Sequence, residues 1–352
     1  MRRPWNRNAS QDQLIVSWCA GTFAYLRASR QSAGLFAVQQ MGVVRQGGDS
    51  MESFVRRLQG LGLKGMVTHV MLRPEQYQLL HIEAPPVAPE ELRAAARFQI
   101  RDMVNVHIDD ITLDVMQVGD GQQRGTKSHL FVVAAKNEVV RSVIALGDAQ
   151  NWKIPIIDIQ ETAQRNLQSA LAKQDGRLER ADAALVISDE QQAVLTISAN
   201  DELFFTRRLD LPPGFLTMPW GADVEPAQEI AHDAFTPVSE YVPDYAGVGS
   251  TGSATSADQG DADRVQRFLV EVQRSLDLWD RTWSSMPLGG LRVYAGERSG
   301  EMATWLSREM GQAVSAIDLE AQFPGLQSMA AADQTYCLPL LGVLLRTETR
   351  KL

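Results

Sequence analysis

Cysteine is scarce in this sequence of 352 residues, which contains only Cys19 and Cys337. Each lies within or beside an apolar segment, so we expect two buried structural thiols in a reducing compartment, not a disulfide framework. Long apolar runs are missing too, because none approaches the ~18 to 20 residues that a membrane-spanning helix needs. Residues 1–10 carry charge without a following apolar stretch, which argues against a secretory signal. These absences predict a cytosolic protein.

Positive charge is in deficit, since 34 Lys and Arg residues stand against 43 Asp and Glu residues, for a net charge of −9. No basic stripe with interleaved aromatic residues is visible, so nucleic acid is not an expected partner. The same charge argues against direct adsorption to an anionic membrane surface. We therefore expect protein partners and no direct membrane span. The apolar fraction of 44% provides for a large core, and the length allows two ordinary domains.

Motifs for catalysis and metal binding are also absent from the sequence. His69, His81 and His107 lie far apart and show no metal-ligand spacing. Asp109 and Asp110 are adjacent carboxylates, which are typical of a solvated turn. Residues 77–118 offer no nucleophile with a base. The sequence therefore predicts no catalytic residue and no metal site.

The clearest order of elements lies in residues 77–118. Tyr77 to Ile82 is a short apolar run that predicts a strand, and the prolines after it remove ladder donors. Pro89 suits the first position of a helix, and Glu90 and Glu91 complement the helix dipole. An apolar face at helical spacing and then an alternating run predict a helix and a second strand. The apolar positions are Leu92, Ala95, Ala96, Ile100 and Met103 in the helix and Ile111, Leu113 and Val115 in the strand.

This stretch resembles the type IV pilus assembly proteins of the PilM family, and among them the MSHA pilus biogenesis branch, MshI. The resemblance rests on Ile82 to Pro85, on Pro89 to Asp102 and on Asp110 to Val115, and the order of elements extends it over roughly residues 12–346. It implies an α/β protein with the actin-like (ribonuclease H-like) fold. In that fold, two lobes with duplicated βββα cores share a cleft.

A run of three predicted strands recurs along the chain, as a duplicated fold requires. Leu14 to Val44 predicts a three-strand meander, and a second meander follows about 170 residues later. We expect a first lobe at residues 12–178, with an inserted subdomain at about 66–150, and a second lobe at residues 179–346. The strands of the second meander are predicted at Ala183–Ile187, Ala193–Ser198 and Leu203–Leu209.

Two segments are predicted to be flexible, an N-terminal arm at residues 1–11 and a loop at residues 237–262 that has few large apolar side chains. Residues 347–352 are a C-terminal tail.

The nucleotide-binding motifs that the resemblance implies are altered in the first lobe. The first turn of the fold would have an Asp that organises the metal, a Gly that admits phosphate and a Lys on the returning strand. These positions fall on Ser17, Cys19 and Ala24. Gly21 and Thr22 could still contact an anion, although a plain hairpin is the simpler interpretation.

The motifs are altered in the second lobe as well. The Asp and Gly of its first turn fall on Ile187 and Asp189, and Glu190 follows, so carboxylates stand where phosphate oxygens would approach. The turn that would hold adenosine reads Ala295-Gly296-Glu297, and we expect Glu297 and Arg298 to crowd it. The resemblance thus implies a degenerate cleft with no bound cofactor, in which ATP and magnesium are disfavoured. Its residues are Ser17, Cys19, Gly21, Thr22, Ile187, Asp189, Gly296 and Glu297.

The resemblance implies a non-catalytic scaffold that sits at the cytosolic face of the inner membrane through a protein partner. That partner would be the N-terminal cytosolic tail of a PilN-like bitopic protein, alongside other pilus platform components. One alternative is an active ATPase of the actin fold that drives or regulates pilus assembly. Another is a cytosolic component of a type II secretion platform like GspL. It would need a membrane span after the second lobe, which Arg346 to Leu352 do not provide.

Overall fold

The computed structural model describes residues 12–31, 34–119, 128–220 and 255–347. The predicted arm at residues 1–11 lies outside these ranges, as do the predicted loop through residue 254 and the tail from residue 348. The strands are β1 Asp12–Cys19, β2 Thr22–Arg30, β3 Phe36–Arg45, β4 Val67–Leu72, β5 Tyr77–Glu83, β6 Ile111–Val118, β7 His129–Lys136, β8 Lys153–Ile159, β9 Ala181–Ile187, β10 Gln192–Ala199, β11 Glu202–Asp210, β12 Leu288–Tyr294 and β13 Val314–Ala316. The helices are α1 Met51–Gln59, α2 Leu92–Gln99, α3 Asn137–Ala149, α4 Gln160–Gln174, α5 Thr255–Thr282, α6 Ser299–Met310 and α7 Ala331–Leu344.

Two five-stranded sheets repeat one topology. The first has the order β3-β2-β1-β4-β8 and the second the order β11-β10-β9-β12-β13. In each sheet three antiparallel strands form a meander, and two parallel strands extend the sheet from the first strand of that meander. The predicted duplication is therefore confirmed, and each sheet is the centre of one lobe.

A third sheet, with the order β5-β7-β6, is inserted into the first lobe. Helix α2 covers one face of it through Leu92 and Ala96, which are buried against Leu130 and Val132. This inserted part is narrower than the predicted residues 66–150. Strand β4 pairs inside the first sheet, and Val143 and Leu146 of α3 join the core of the first lobe.

Helices α4 and α7 fill the space between the two large sheets. The side-chain amide of Gln164 donates to the carbonyl oxygens of Ala184 and Val194, both at 2.9 Å. Cys337 and other residues of α7 pack in one core with the first sheet and with Ala184 and Val186 of the second sheet. The last helix is therefore shared by the two lobes, whereas the sequence predicted it in the second lobe alone. The two sheets thus enclose a shared helical layer.

Two local predictions need correction. Helix α2 ends at Gln99, and Met103 is therefore 47% exposed instead of lying on its apolar face. Helix α5 begins at Thr255, inside the predicted loop at residues 237–262.

Candidate functional site

Two hairpin turns, one from each lobe, open onto the same cavity, which we call the interlobe cleft. Its volume is about 740 Å³. Cys19, Ala20 and Thr22 line it from the β1–β2 turn, and residues 188–191 line it from the β9–β10 turn. The first turns of α7 close a third side with Asp333, Thr335 and Tyr336.

Of the predicted cleft residues in the two hairpins, some line the cleft and others do not. Cys19, Thr22 and Asp189 line the cleft. Gly21 lies in the first turn with φ of 73°, and its carbonyl oxygen accepts from the amide of Gln46 at 2.7 Å. Ile187 is fully buried in the core of the second lobe and does not line the cleft. Ser17 is also fully buried, and its hydroxyl contacts an arginine described below. Ala24 is a fully buried core residue on β2.

Carboxylates outnumber cationic groups among the described residues that line the cleft. They are Glu75, Asp189, Glu190 and Asp333, against Arg45 and Arg73. One oxygen of Asp189 accepts from the backbone amides of residues 191 and 192, at 2.8 and 3.0 Å, which fixes the second turn. Any phosphate entering this cleft would meet like charge on several sides.

The thiol of Cys19 faces this acidic environment. Its Sγ lies 3.8 Å from Oε2 of Glu75. Burial first, and then the charge of Glu75, raise the pKa of Cys19 to about 11. The thiol therefore stays protonated at neutral pH and is a poor nucleophile.

Arg73 is the cleft residue that the sequence did not reveal. It follows β4 directly, and only 2% of its surface is exposed. Its guanidinium donates from Nε to Ser17 Oγ at 3.3 Å, from Nη1 to Ser188 Oγ at 3.4 Å and from Nη2 to the carbonyl oxygen of Tyr336 at 2.6 Å. The same group lies 4.0 Å from the centre of the Tyr336 ring. The only sequence signal is an arginine at the end of a buried apolar strand.

A smaller pocket of about 220 Å³ adjoins the cleft, and Thr335 lines both. Gly296 and Glu297 lie at this pocket, together with Asp318 and Glu320 on its acidic side. Gly296 has φ of 61°, and a Cβ there would lie 2.7 Å from Oγ1 of Thr335. The single glycine of the predicted adenosine turn is therefore required by the backbone and by close packing.

Arg298 does not crowd this pocket, contrary to the sequence-based expectation. Its guanidinium lies 3.9 Å from the centre of the Trp220 ring and donates to the carbonyl oxygens of Leu216 and Met218. It also pairs with Glu301, whose pKa it lowers through hydrogen bonds. Glu297 alone adds charge at the turn.

A second arginine, which is half-buried, joins the lobes from the opposite direction. Arg208 of β11 donates to Glu161 of α4 at 2.9 and 3.1 Å and to the carbonyl oxygen of Pro74 at 2.6 Å. Tyr77 donates its hydroxyl to the other oxygen of Glu161, and its ring lies 4.7 Å from the Arg208 guanidinium. Burial and the Glu161 carboxylate raise the pKa of Tyr77 well above its ordinary value, so the phenol stays neutral.

A separate groove of about 260 Å³ lies where the inserted sheet meets both lobes. We call it the edge groove, because β6 and β8, which line it, are edge strands of their sheets. Its described lining is apolar at Met116, Phe131, Val133, Ile157, Ile159 and Leu203 and polar at Asp114, Gln117, Asp158, Thr162, Arg165, Glu202 and Arg346. Arg346 pairs with the buried Asp158 at 2.6 Å, which places a fixed ion pair beside the apolar floor.

Within the described ranges, no group of three or more His, Cys, Asp or Glu residues is arranged to hold a metal ion. In the same part of the chain, no helix is both long enough and apolar enough to cross a membrane.

The fold is similar to those of several solved structures. A chain of a PilM-PilN type IV pilus biogenesis complex matches with a TM-score of 0.60 and 15% identity, over 95% of this chain and 98% of that chain. The cytoplasmic domain of EpsL, an inner-membrane component of the Vibrio cholerae type II secretion system, matches with a TM-score of 0.39 and 14% identity, over 56% and 71%. A Bacteroides thetaiotaomicron protein with an actin-like ATPase fold matches with a TM-score of 0.44 and 7% identity, over 91% and 97%. No protein-family model matches the chain, and no curated protein matches its sequence. The predicted actin-like fold with two duplicated lobes is confirmed.

Proposed function

We propose that this chain is a non-catalytic actin-like scaffold of a type IV pilus assembly platform of the MSHA kind, at the cytosolic face of the inner membrane. Its work is to hold the cytosolic N-terminal tail of a PilN-like bitopic protein. The proposal is supported by the fold match to the PilM-PilN complex, which covers nearly all of both chains. It is also supported by the stretch from Ile82 to Val115, whose sequence resembles the PilM family.

The observation that carries the proposal is the edge groove. An extended peptide can add to an exposed sheet edge, with main-chain hydrogen bonds for affinity and pockets for alternate side chains. In the edge groove two edge strands from different sheets flank an apolar floor, with Met116 on one side and Ile157 on the other. A short extended tail with alternating apolar side chains fits this lining. The ion pair of Arg346 and Asp158 offers polar groups to its backbone.

The test is binding of a fluorescent peptide that comprises the cytosolic N-terminal residues of the PilN-like protein of the same organism. We expect a dissociation constant in the micromolar range for the unaltered chain. Met116→Lys and Ile157→Asp should each weaken binding at least about tenfold, because they place charge on the apolar floor.

Ile144→Lys is the matched control, because Ile144 is an apolar residue that is 44% exposed on α3, outside the groove. It should leave the affinity within about twofold. If the unaltered chain does not bind the peptide, the scaffold role is wrong. If it binds and the groove variants bind equally well, the site is elsewhere.

The proposal also holds that the interlobe cleft does not work with magnesium and ATP. Its support is the excess of carboxylates around the cleft and the loss of the motif residues at Ser17, Cys19 and Ala24. The active ATPase remains the competing function, and nucleotide binding tests it.

A further inference from the structure

Arg73 occupies the part of the interlobe cleft where the two hairpins meet. Ser17 belongs to β1 of the first lobe, and Ser188 follows β9 of the second lobe. The Arg73 guanidinium donates to both hydroxyls, at 3.3 and 3.4 Å. One side chain thus connects the ends of two strands that lie far apart in sequence.

The buried guanidinium of Arg73 is held by hydrogen bonds and an aromatic ring, without a direct ion pair among the described residues. Arg73 has only 2% of its surface exposed. Among the described residues, none of the ion pairs closer than 4.0 Å includes it. Its remaining contacts are the carbonyl oxygen of Tyr336, at 2.6 Å, and the face of the Tyr336 ring. A buried cation is stable only when hydrogen bonds and nearby negative charge replace its hydration. Glu75 and Asp189 are carboxylates that line the same cleft.

The second arginine fixes the same segment from the other lobe. Arg208 donates to the carbonyl oxygen of Pro74, next to Arg73, and its guanidinium lies over the ring of Tyr77. Residues 73–77 are therefore connected to the second lobe twice. The side chain of Arg73 reaches Ser188, and the side chain of Arg208 reaches Pro74 and Tyr77.

We propose that Arg73 is an internal cation that holds the two lobes together at the cleft, in the position where a metal-bound nucleotide would otherwise bridge them. The residues of this cleft do not fit such a nucleotide. The hydroxyls of Ser17 and Ser188 at the two hairpins are already hydrogen-bonded to Arg73, and carboxylates surround the remaining space. The scaffold consequently keeps one interlobe arrangement without any ligand. This inference rests on the proposed function, because it describes how a scaffold without nucleotide keeps its shape.

The test replaces Arg73 and follows amide hydrogen exchange by mass spectrometry. Arg73→Met keeps much of the side-chain length and removes the charge and the donors. We expect a fall in the thermal midpoint of roughly 5 °C or more. Exchange should rise at least about tenfold in the two hairpin turns and the first turns of α7, and stay unchanged in β6 and β7 of the inserted sheet.

Arg45→Met is the control, because Arg45 lines the same cleft but is exposed. It should change neither the midpoint nor the exchange pattern. If Arg73→Met does not fold, Arg73→Lys is measured instead. It keeps the charge but not the planar fork, and should give the same exchange pattern with a smaller fall.

A chemical rescue separates the internal cation from a general packing defect. Guanidinium chloride at millimolar concentration, far below its denaturing range, should raise the midpoint of Arg73→Ala relative to potassium chloride and should not raise that of the unaltered chain. The proposal is wrong if Arg73→Met behaves like Arg45→Met, if exchange rises uniformly along the chain, or if guanidinium gives no rescue. Failure of the tail peptide to bind the unaltered chain would overturn the scaffold role and leave these results standing.

Discussion

Glu161 is a carboxylate with 1% of its side chain exposed, and it connects three elements. Arg208 from β11 and Tyr77 from β5 both donate to it from outside α4. A buried ion pair adds little net stability when both charges are satisfied, but removal of one partner leaves the other charge uncompensated.

We predict that Glu161→Gln lowers the free energy of unfolding by about 3 kcal/mol, since Arg208 loses its counter-charge in a mostly buried place. Urea titration measures this change in the free energy of unfolding. Glu52→Gln is the control, because Glu52 pairs with Arg56 but is 82% exposed. It should cost less than about 1 kcal/mol. Equal effects of the two substitutions would show that the buried pair is not coupled to folding.

The two thiols predict a decline in stability at alkaline pH. Burial raises the pKa of Cys337 to about 12 and that of Cys19 to about 11. In the unfolded chain a thiol ionises from roughly pH 8.5 to 9, while the folded thiols stay protonated. Their stabilising effect is therefore complete below that range and is lost as the pH rises toward 11 or 12.

For Cys337 alone the loss reaches up to about 1.4 kcal/mol per pH unit above that range. Cys337→Ser should flatten the decline between roughly pH 8 and 10 in urea titrations, because a hydroxyl does not titrate there. An unchanged slope would mean that Cys337 does not contribute to the pH dependence of stability.

Cys19 should also react slowly with iodoacetamide at neutral pH.

Helices α4 and α7 touch backbone to backbone in the layer between the sheets. A Cβ on Gly342 would overlap the carbonyl oxygen of Ala163, and the side chain of Asn166 donates to the carbonyl oxygen of Gly342 at 3.0 Å. Neither helix can move away without disturbing a sheet.

We predict that Gly342→Ala lowers the free energy of unfolding by about 3 kcal/mol, because one methyl group forces the two backbones apart. Gly300→Ala in α6 is the matched control, since a Cβ there meets nothing within 4 Å. It should stabilise by about 0.5 to 1 kcal/mol through the better helix propensity of alanine. If both substitutions behave alike in urea titration, the close crossing is not required.

The strands and their repeat could be predicted because they rest on local patterns. Alternation in β6 and the apolar runs of β9 and β10 are readable from a few residues each. The burial of the polar helix α4 cannot be read from sequence, because Gln164 and Gln168 are buried against sheet carbonyls that come from the other lobe. The place of α7 between the two sheets also depends on contacts that sequence spacing does not encode.

The candidate site was predictable only in part, for the same reason. The structure brings the two turns with Cys19 and Asp189 to one cleft, and the sequence alone suggested this only through the resemblance to a known fold. Arg73 was missed, because a single arginine after a strand is common in sequences. Its meaning appears only when the fold brings Ser17 and Ser188 to the same guanidinium.

The shared topology of the two lobes determines which of their turns meet. Two sheets of one order face each other across α4 and α7, so their first hairpins meet at one cleft. In a chain of this shape, a ligand that bridges the hairpins would stabilise the folded state in proportion to its binding. Under our proposal for Arg73, the internal bridge replaces such a ligand, and the edge groove proposed for the partner keeps its shape without one.

We therefore predict that magnesium and ATP at millimolar concentration leave the thermal midpoint unchanged within about 1 °C. A ligand at 100 times its dissociation constant would stabilise by about 2.7 kcal/mol, and each kcal/mol moves the midpoint of a domain of 150 to 250 residues by about 2 to 4 °C. Glu75, Asp189 and Glu190 line the cleft and repel the phosphates, while the adjoining pocket adds Glu297. Magnesium chloride alone is the control. A nucleotide-dependent rise of the thermal midpoint by several degrees, or phosphate release above the background, would favour the active ATPase over the scaffold. The Arg73 side chain would then have to leave the two hairpins to admit the nucleotide.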